Sequence, residues 1–342
     1  MAIVLVLSSC DKVIPVSPTV DKIKYTEYSF DWFDTATTVT GYAESQEEFD
    51  AVYAEISEMF TFYHRLYTIY NKYDNFNNMY TVNTAEGAVE VDVKIIDLIE
   101  YAKEMYYLTS GKTNIAMGSV LSLWHDARSY GTKHPENAKL PSMEKLQNAA
   151  EHTDIEDVII DRENGTVMLA DSEMSLDVGA IAKGYAVEMV AQYLEEKGIS
   201  GYLLNVGGNV RAIGNKPDGS KWTVGIENPD AKWEEDAFLE YIGATSEAVV
   251  ISGSYQRFYI VDGKSYHHII DSETLMPSET YRSVAVVCGN SALGDALSTA
   301  LFCMSFEEGT ALVESIDGVE AMWFTNNGEK MYSSGFDNYV VK

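Results

Sequence analysis

The first residues with types and spacing suited to phosphate chemistry lie in the segment Asp-Val-Gly-Ala-Ile-Ala-Lys-Gly-Tyr, from Asp177 to Tyr185. An acidic residue and Gly179, which permits close approach of the backbone, precede a predicted helix. The free N–H groups at a helix N-terminus favour phosphate. Apolar residues at helical spacing give this helix one buried face, so Lys183 lies off that face, where its ammonium can reach an anion. The alternative is an ordinary strand–turn–helix with a surface lysine.

A second candidate is the pair Asp295 and Thr299 on a later predicted helix. Because they are one helical turn apart, their side chains share a face and their oxygens converge. A carboxylate and a hydroxyl, with positions left open for water and phosphate, suit Mg²⁺, a hard ion that keeps several ligands from outside the protein. In the alternative, Asp295 caps a turn and Thr299 bonds back to the carbonyl of residue 295.

A third candidate is the adjacent pair His267 and His268, two of the six histidines in the chain. On a strand they point to opposite faces, so that one can face a site while the other faces solvent or the core. The pKa of a histidine suits proton removal from a hydroxyl near neutral pH. A zinc site is not expected, since adjacent histidines rarely chelate one ion and no third ligand is evident. The alternative is a structural histidine.

Helices and short strands are mixed along the chain that positions these candidates. Ser45 and Glu48 form a capping-box pattern before a long helical stretch, and Asn164-Gly165 marks a hairpin turn. No alternation of strand and helix is sustained, so we predict an α+β fold with mixed or antiparallel sheets and packed helices. The other predicted segments are strands at 25–40, 157–161, 166–170, 201–206, 222–226, 246–251, 257–261 and 282–288, helices at 93–109, 180–197 and 292–304, and loops at 71–84 and 131–142.

Length and charge exclude several classes of protein. The chain has 342 residues, enough for one large domain or two closely packed ones, and 24 Lys and Arg against 53 Asp and Glu, a net charge of −29. So acidic a surface repels a phosphate backbone, so no nucleic-acid binding is expected. A phosphorylated small ligand needs a bound cation or a local cluster of donors. The GxGxxG, P-loop and GxSxG patterns of Rossmann sites, P-loop NTPases and common serine hydrolases are absent from the sequence.

The N-terminus is typical of a bacterial lipoprotein signal segment. Residues 2–9 form a short apolar run that ends in small residues directly before Cys10, which would receive the lipid. The run is too short to span a bilayer. The alternative is a fortuitous apolar N-terminus. We predict a signal-like segment at 1–10, a tether with two prolines at 11–24, one domain at 25–342, and membrane contact through the lipid anchor only.

Seven short segments of the chain form a recognisable series. They are Phe33-Asp-Thr35, Asn114-Ile-Ala-Met-Gly-Ser…Leu-Trp124, Asp177-Val-Gly-Ala-Ile-Ala-Lys-Gly184, Val206-Gly-Gly-Asn209, Ser252-Gly-Ser-Tyr-Gln-Arg257, His268-Ile-Ile-Asp271 and Asp295-Ala-Leu-Ser-Thr299. Taken together and in this order, they resemble the ApbE family, the FAD:protein FMN transferases. The resemblance covers about residues 27–340 and implies an α+β fold of the ApbE type.

This resemblance implies which residues form the site. Asp295, Thr299 and the backbone carbonyl of Ala180 would hold Mg²⁺. His268 would be the base that activates an incoming hydroxyl, with Asp271 orienting it. The residues implied to contact or line the bound FAD are Phe33, Tyr70, Asn83, Ala116, Met117, Gly118, Asp177, Lys183 and Ile269.

The resemblance also implies the reaction, a phosphoryl transfer. FAD is split at its pyrophosphate, AMP leaves, and FMN is joined by a phosphoester to a threonine of a target protein. The flavinylation motif of such targets in the family is Asp-Gly-x-Ser/Thr-Gly-Ala-Thr. Together with the lipoprotein-like start, this implies an enzyme anchored on the extracytoplasmic face of the bacterial membrane. The two alternatives are an FAD pyrophosphatase that yields FMN and AMP, and a non-catalytic FAD-binding lipoprotein.

Overall fold

The computed structural model describes residues 22–341, so that Cys10, the signal-like segment and most of the predicted tether lie outside the described residues. The helices in this part are α1 Gln46–Tyr67, α2 Met79–Thr84, α3 Val93–Leu108, α4 Gly118–Lys133, α5 Met143–Ala150, α6 Ala182–Glu196, α7 Ser291–Phe302 and α8 Phe306–Glu314. The strands are β1 Ile23–Ser29, β2 Thr37–Ala43, β3 Val89–Glu90, β4 Val158–Asp161, β5 Thr166–Leu169, β6 Tyr202–Val206, β7 Asn209–Ile213, β8 Trp222–Glu227, β9 Phe238–Ala244, β10 Ala248–Gly253, β11 Phe258–Val261, β12 Lys264–His267, β13 Tyr281–Cys288, β14 Glu320–Thr325 and β15 Lys330–Tyr332.

An eight-stranded sheet forms the centre of the fold. Its strand order is β1-β2-β6-β7-β10-β13-β14-β15, and every neighbouring pair is antiparallel. The smaller sheets are β3-β5-β4 and the hairpins β8-β9 and β11-β12. The predicted α+β class with antiparallel sheets is therefore confirmed.

Both faces of the central sheet are covered. Successive residues of a strand alternate between faces, and in β13 Val286 belongs to an apolar cluster with Leu297 of α7, whereas Val287 belongs to a cluster with Trp222 of β8. Helices thus cover one face, and the β8-β9 hairpin covers the other. A strand buried on both faces is a rigid support, and α6 and α7 are held against it.

Most of the predicted elements are confirmed, with α3, α6 and α7 close to their predicted bounds. Two loop predictions are wrong in part. The asparagine-rich segment contains α2, because Asn78 is a helix cap rather than a loop residue: its side chain accepts the N–H of Thr81 in a capping box. The second predicted loop begins inside α4, a helix that the sequence analysis missed.

The segment predicted as one strand at 25–40 is two strands, β1 and β2, joined by a loop over residues 30–36 that contains a turn at 32–35. Phe33 and Asp34 lie in this turn with φ of 54° and 51°, a left-handed conformation that side chains rarely adopt. The Phe33 N–H donates to Nδ1 of His64 at 3.0 Å, which helps to hold the turn. This conformation directs the chain back along the sheet and brings residues 33–35 to the wall of the site described below.

None of the helices within residues 22–341 combines the length and the apolar character needed to cross a membrane.

Candidate active site

A cavity of about 390 Å³ lies where α4, the N-terminal end of α6 and α7 meet the turn after β10 and the segment after β12. Its wall combines segments that are far apart in the sequence. The residues implied by the family resemblance that line it are Phe33, Tyr70, Met117, Asp177, Ala180, Lys183, His268, Ile269, Asp295 and Thr299. The structure therefore brings most of the candidate residues together.

Asn83, Ala116 and Gly118 are not among the residues that line this cavity in the described structure. The Asn83 amide holds the backbone of Leu176 from both sides, donating to its carbonyl at 2.8 Å and accepting its N–H at 2.7 Å. Ala116 is fully buried. A Cβ on Gly118 would lie 2.3 Å from the carbonyl oxygen of Ser175. These three residues shape the segments that carry Met117 and Asp177.

The carboxylate of Asp271 has partners other than His268. Its Oδ1 accepts the N–H groups of Glu273 and Thr274 at 2.7 and 3.1 Å, and its Oδ2 pairs with the Lys112 ammonium at 3.3 Å. Within residues 22–341 the structure shows no hydrogen bond from Asp271 to His268. Asp271 instead holds Lys112, which lines the cavity.

Asp295 is one of the carboxylates that line the cavity and is only 3% exposed. Its Oδ2 accepts the N–H of Gly184 at 2.8 Å, and its Oδ1 accepts from Nζ of Lys183 and Nδ2 of Asn209, each at 3.3 Å. The side chain that caps α7 is Asn290, which accepts the N–H of Leu293. Asp295 is therefore not a helix cap, and its charge is directed towards the cavity wall.

The bond back to the Asp295 carbonyl is made by Ser298, not by Thr299. The Ser298 hydroxyl donates to this carbonyl at 3.1 Å and lies 2.8 Å from the hydroxyl of Ser252 on β10. Thr299 lines the cavity beside Asp295. The backbone hydrogen bond that the alternative interpretation gave to Thr299 is therefore made by Ser298.

Helices α6 and α7 are joined by two reciprocal hydrogen bonds at their closest approach. The Gly184 N–H of α6 donates to Asp295 of α7, and the Ser291 N–H of α7 donates to Oε2 of Glu188 of α6 at 2.7 Å. Oε2 of Glu188 also accepts from Arg211 of β7 at 3.2 Å in a buried ion pair. This arrangement fixes Asp295 relative to the helix that carries Lys183.

Gly184→Ala should lower the free energy of unfolding by about 1–3 kcal/mol, because overpacking forces close-packed elements apart. A Cβ there would lie 2.4 Å from both Cβ of Asp295 and the carbonyl oxygen of Ser291. Denaturant unfolding of the two proteins measures the difference. Gly87→Ala is the matched control, since nothing lies within 4 Å of its added Cβ, and it should leave stability nearly unchanged. Equal stability of Gly184→Ala and wild type would contradict the close packing.

The two adjacent histidines face different surroundings, as the sequence analysis expected, although only His267 lies on a strand, β12. Nε2 of His267 donates to the Ser278 carbonyl at 2.7 Å, and its ring packs edge-on against Phe302. His268 lines the cavity, and its Nδ1 is buried without a hydrogen-bond partner among the described residues. Burial and then the charges of Arg257 and Arg128 lower the pKa of His268 to about 3, so its ring is neutral in the ligand-free protein.

The depressed pKa of His268 has a consequence for stability. Its unfolded pKa is about 6.5, so below that pH the unfolded chain binds a proton that the folded chain does not. We expect wild type to lose stability relative to His268→Gln by up to about 1.4 kcal/mol per pH unit as the pH falls below 6.5. Unfolding free energies of both proteins between neutral and mildly acidic pH test this. Parallel stability curves would show that His268 takes up its proton at the same pH in the folded and the unfolded protein.

Residues 33–323 match the sequence profile of the ApbE family. The chain belongs to the ApbE family. Two similar relatives are both named FAD:protein FMN transferase. The one from Klebsiella pneumoniae is 32% identical over 74% of this chain and 76% of its own. The one from Treponema pallidum is 29% identical over 84% of this chain and 82% of its own.

Solved ApbE structures share the fold. The ApbE protein of Thermotoga maritima is 28% identical, covers 94% of this chain and 100% of its own, and gives a TM-score of 0.81. The flavin transferase ApbE of Vibrio cholerae is 24% identical over 93% of this chain and 99% of its own, with a TM-score of 0.76. The predicted family and fold are confirmed.

The oxygens expected to hold Mg²⁺ in this ApbE protein fit a hard cation. Asp295, Thr299 and Ala180 line one cavity and offer carboxylate, hydroxyl and carbonyl oxygens. Asn209, which donates to Asp295, has its own amide oxygen buried without a partner among the described residues. In that same part of the chain, no group of three or more His, Cys, Asp or Glu side chains is placed to hold a metal. The expected Mg²⁺ ligands include one carboxylate, that of Asp295, which is also ion-paired with Lys183.

Sequence reasoning missed several cationic side chains of this ApbE site. Lys112, Arg128 and Arg257 line the cavity together with Lys183. Burial raises the pKa of the Asp177 carboxyl, and the charges of Arg128 and Arg257 act against this. Met117, which precedes α4, and positions 121, 124, 125 and 128 of α4 all line the cavity. Their spacing of three and four residues is a helical signal that could have been found.

Proposed function

We propose that this FAD:protein FMN transferase uses Mg²⁺ to split FAD at its pyrophosphate, releases AMP, and joins FMN through a phosphoester to a threonine of a target protein. The observation that supports this best is the convergence of Asp295, Thr299, Lys183 and His268 on one cavity. These residues supply the three functions that the reaction needs: charge neutralisation, positioning and activation of a weak nucleophile.

Cationic side chains explain how an anionic dinucleotide enters a chain with a net charge of −29. Lys112, Arg128, Lys183 and Arg257 line the cavity beside the carboxylates of Asp34, Asp177 and Asp295, so cations are available where the pyrophosphate would bind. Lys183 lies 3.3 Å from Asp295 and can turn its remaining N–H groups towards a phosphate oxygen. We infer that these side chains bind and orient the pyrophosphate.

Asp295, Thr299 and the Ala180 carbonyl are the residues that would hold Mg²⁺ in this scheme. When bound, the ion would neutralise the pyrophosphate and stabilise the charge that develops on the transferred phosphoryl group. The Gly184 N–H and Asn209 keep the Asp295 carboxylate in place. Their hydrogen bonds preorganise the site before substrate arrives.

His268 is proposed to take the proton of the threonine hydroxyl as its oxygen attacks the phosphorus of the FMN half and the bond to AMP breaks. A neutral ring can accept this proton, but a pKa of about 3 makes it a weak base. Burial is the largest cause of that low pKa, and the charges of Arg257, Arg128 and Lys183 lower it further. A bound pyrophosphate offsets their charges, so FAD binding should raise the pKa of His268 by the part that those charges cause.

The proposed location is the extracytoplasmic face of the membrane, with a lipid on Cys10. The support is the apolar run and small residues that precede this cysteine. Labelling with a radioactive fatty acid in wild type and Cys10→Ala tests the anchor independently of the enzyme activity.

The test of the reaction uses the purified protein with FAD, Mg²⁺ and an acceptor domain that bears the family's flavinylation motif. AMP release and covalent flavin fluorescence on a denaturing gel are read together, with and without EDTA. We expect AMP and a fluorescent acceptor band, both lost with EDTA. AMP without the band, for an acceptor that a known family enzyme does flavinylate, would favour FAD pyrophosphatase activity. Bound but uncleaved FAD in the presence of Mg²⁺ would indicate a flavin carrier.

A further inference from the structure

A second concave surface adjoins the cavity on its outer side. It has a volume of about 320 Å³ and lies between the C-terminal end of α4 and residues 256–258. We call it the basic groove. Arg128, Gln256 and Arg257 line both the groove and the cavity and so form a shared wall between them. A ligand in the groove therefore lies next to the cavity that contains His268.

The basic groove contains three cations, Arg128, Lys133 and Arg257. Within residues 22–341 none of them has a carboxylate oxygen within the 4.0 Å of an ion pair, whereas Lys112, Lys183 and Arg211 are all paired. Acidic residues outnumber basic ones 53 to 24 in this chain, so a groove that holds three cations and no ion-paired carboxylate is basic against an acidic background.

The two arginines are close enough to affect each other. Burial and then the neighbouring Arg257 charge lower the pKa of Arg128. Arg128 contacts Nδ1 of His125 at 3.4 Å, and Arg257 contacts the Asp34 carbonyl at 3.5 Å. Both contacts are long for hydrogen bonds from a guanidinium group, and neither partner is a carboxylate. An anion beside them would form charge-assisted hydrogen bonds. Arg128 and Arg257 also face the cavity proposed for the pyrophosphate, whereas Lys133 lines the groove alone.

We propose that the basic groove binds an acidic segment of the acceptor protein next to the threonine that receives FMN. Lys133, Gln256, Arg257 and Phe258 are exposed side chains of the groove, so a segment of a folded protein can reach them. Phe258 is 42% exposed and offers an apolar contact beside the cations. A segment held there extends across the shared wall, which places its hydroxyl near His268. This inference rests on the proposed transferase function.

Lys133→Glu tests the proposal, because Lys133 lines the groove but not the cavity. We expect the KM for the acceptor domain to rise about five- to tenfold, with the KM for FAD unchanged, since reversing an interface charge acts on partner binding. The Kd of the acceptor for FAD-free enzyme should rise by the same factor, and added salt should narrow the difference. Lys145→Glu, at an exposed position of α5 outside the groove, is the matched control and should behave as wild type.

A series of acceptor-domain variants identifies the acidic residue that contacts Lys133. Neutralising each Asp and Glu near the acceptor threonine should reveal one variant that binds wild type less tightly and no longer distinguishes wild type from Lys133→Glu. Equal acceptor affinity of Lys133→Glu and Lys145→Glu would overturn the proposal. A raised KM for FAD with an unchanged acceptor KM would also overturn it and assign the groove to the dinucleotide. Absence of transfer by wild type would instead count against the proposed function itself.

Discussion

Asp295→Ala is expected to lower AMP release from FAD by about 10³-fold or more. Asp295 is the only carboxylate in the proposed Mg²⁺ ligand set, and a hydroxyl and a carbonyl alone hold this ion poorly. The variant also leaves the Gly184 N–H and the Lys183 ammonium without their carboxylate partner. AMP is measured by chromatography at saturating FAD over a range of Mg²⁺ concentrations.

Two further variants separate the chemical effect of Asp295 from a loss of folding. Asp295→Asn keeps the size of the side chain and an oxygen for the Gly184 N–H but removes the charge, so it should fold and still lose most activity. Asp171→Asn changes a carboxylate that binds His152 outside the cavity and should release AMP as wild type does. AMP release by folded Asp295→Asn at close to the wild-type rate would show that this carboxylate does not hold the ion.

His268→Ala should lower FMN transfer by about 10²–10⁴-fold, the usual contribution of a general base. FAD binding should change little, because the cations of the cavity remain. Single-turnover transfer to the acceptor domain measures the first effect, and quenching of flavin fluorescence on titration measures the second. The pH dependence of transfer in wild type should report the pKa of His268 in the FAD complex, above its value of about 3 in the free protein.

His267→Gln is the control for this experiment. Its amide can still donate to the Ser278 carbonyl, the partner of Nε2 in the native protein. We expect transfer close to that of wild type. If His268→Ala transfers FMN as fast as the control, His268 is not the general base, and another group must accept the threonine proton.

The sequence alone placed site residues correctly where the placement depends on local patterns such as helical spacing. Helical spacing places Asp295 and Thr299 on one face of α7, and both line the cavity. The change from strand to helix around residue 180 places Lys183 at the first turn of α6. Periodicity, turns and caps depend on residues within one or two helical turns, so they can be read along the chain. The ordered segments then identified the family.

The local patterns did not reveal two helices, α2 and α4. The cap of α2 lies in a run of asparagines that favours a loop by composition, and the loop prediction at 131–142 began inside α4. Because α4 carries Arg128 and His125, missing it also removed those two side chains from the predicted site. Without a predicted helix, the sequence gives no way to tell which of its side chains face the cavity.

Only the tertiary structure decided which side chains are partners. Lys183 and Asp295 are 112 residues apart, and Lys112 and Asp271 are 159 apart, yet each pair is in contact. The second contact directs Asp271 to Lys112 and not to His268. The low pKa of His268 and the unpaired cations of the basic groove likewise depend on burial and on charges from distant segments. Residue types and spacing therefore determined the family and the reaction class, whereas packing between distant elements decided the electrostatics, since burial and charge proximity exist only in the folded chain.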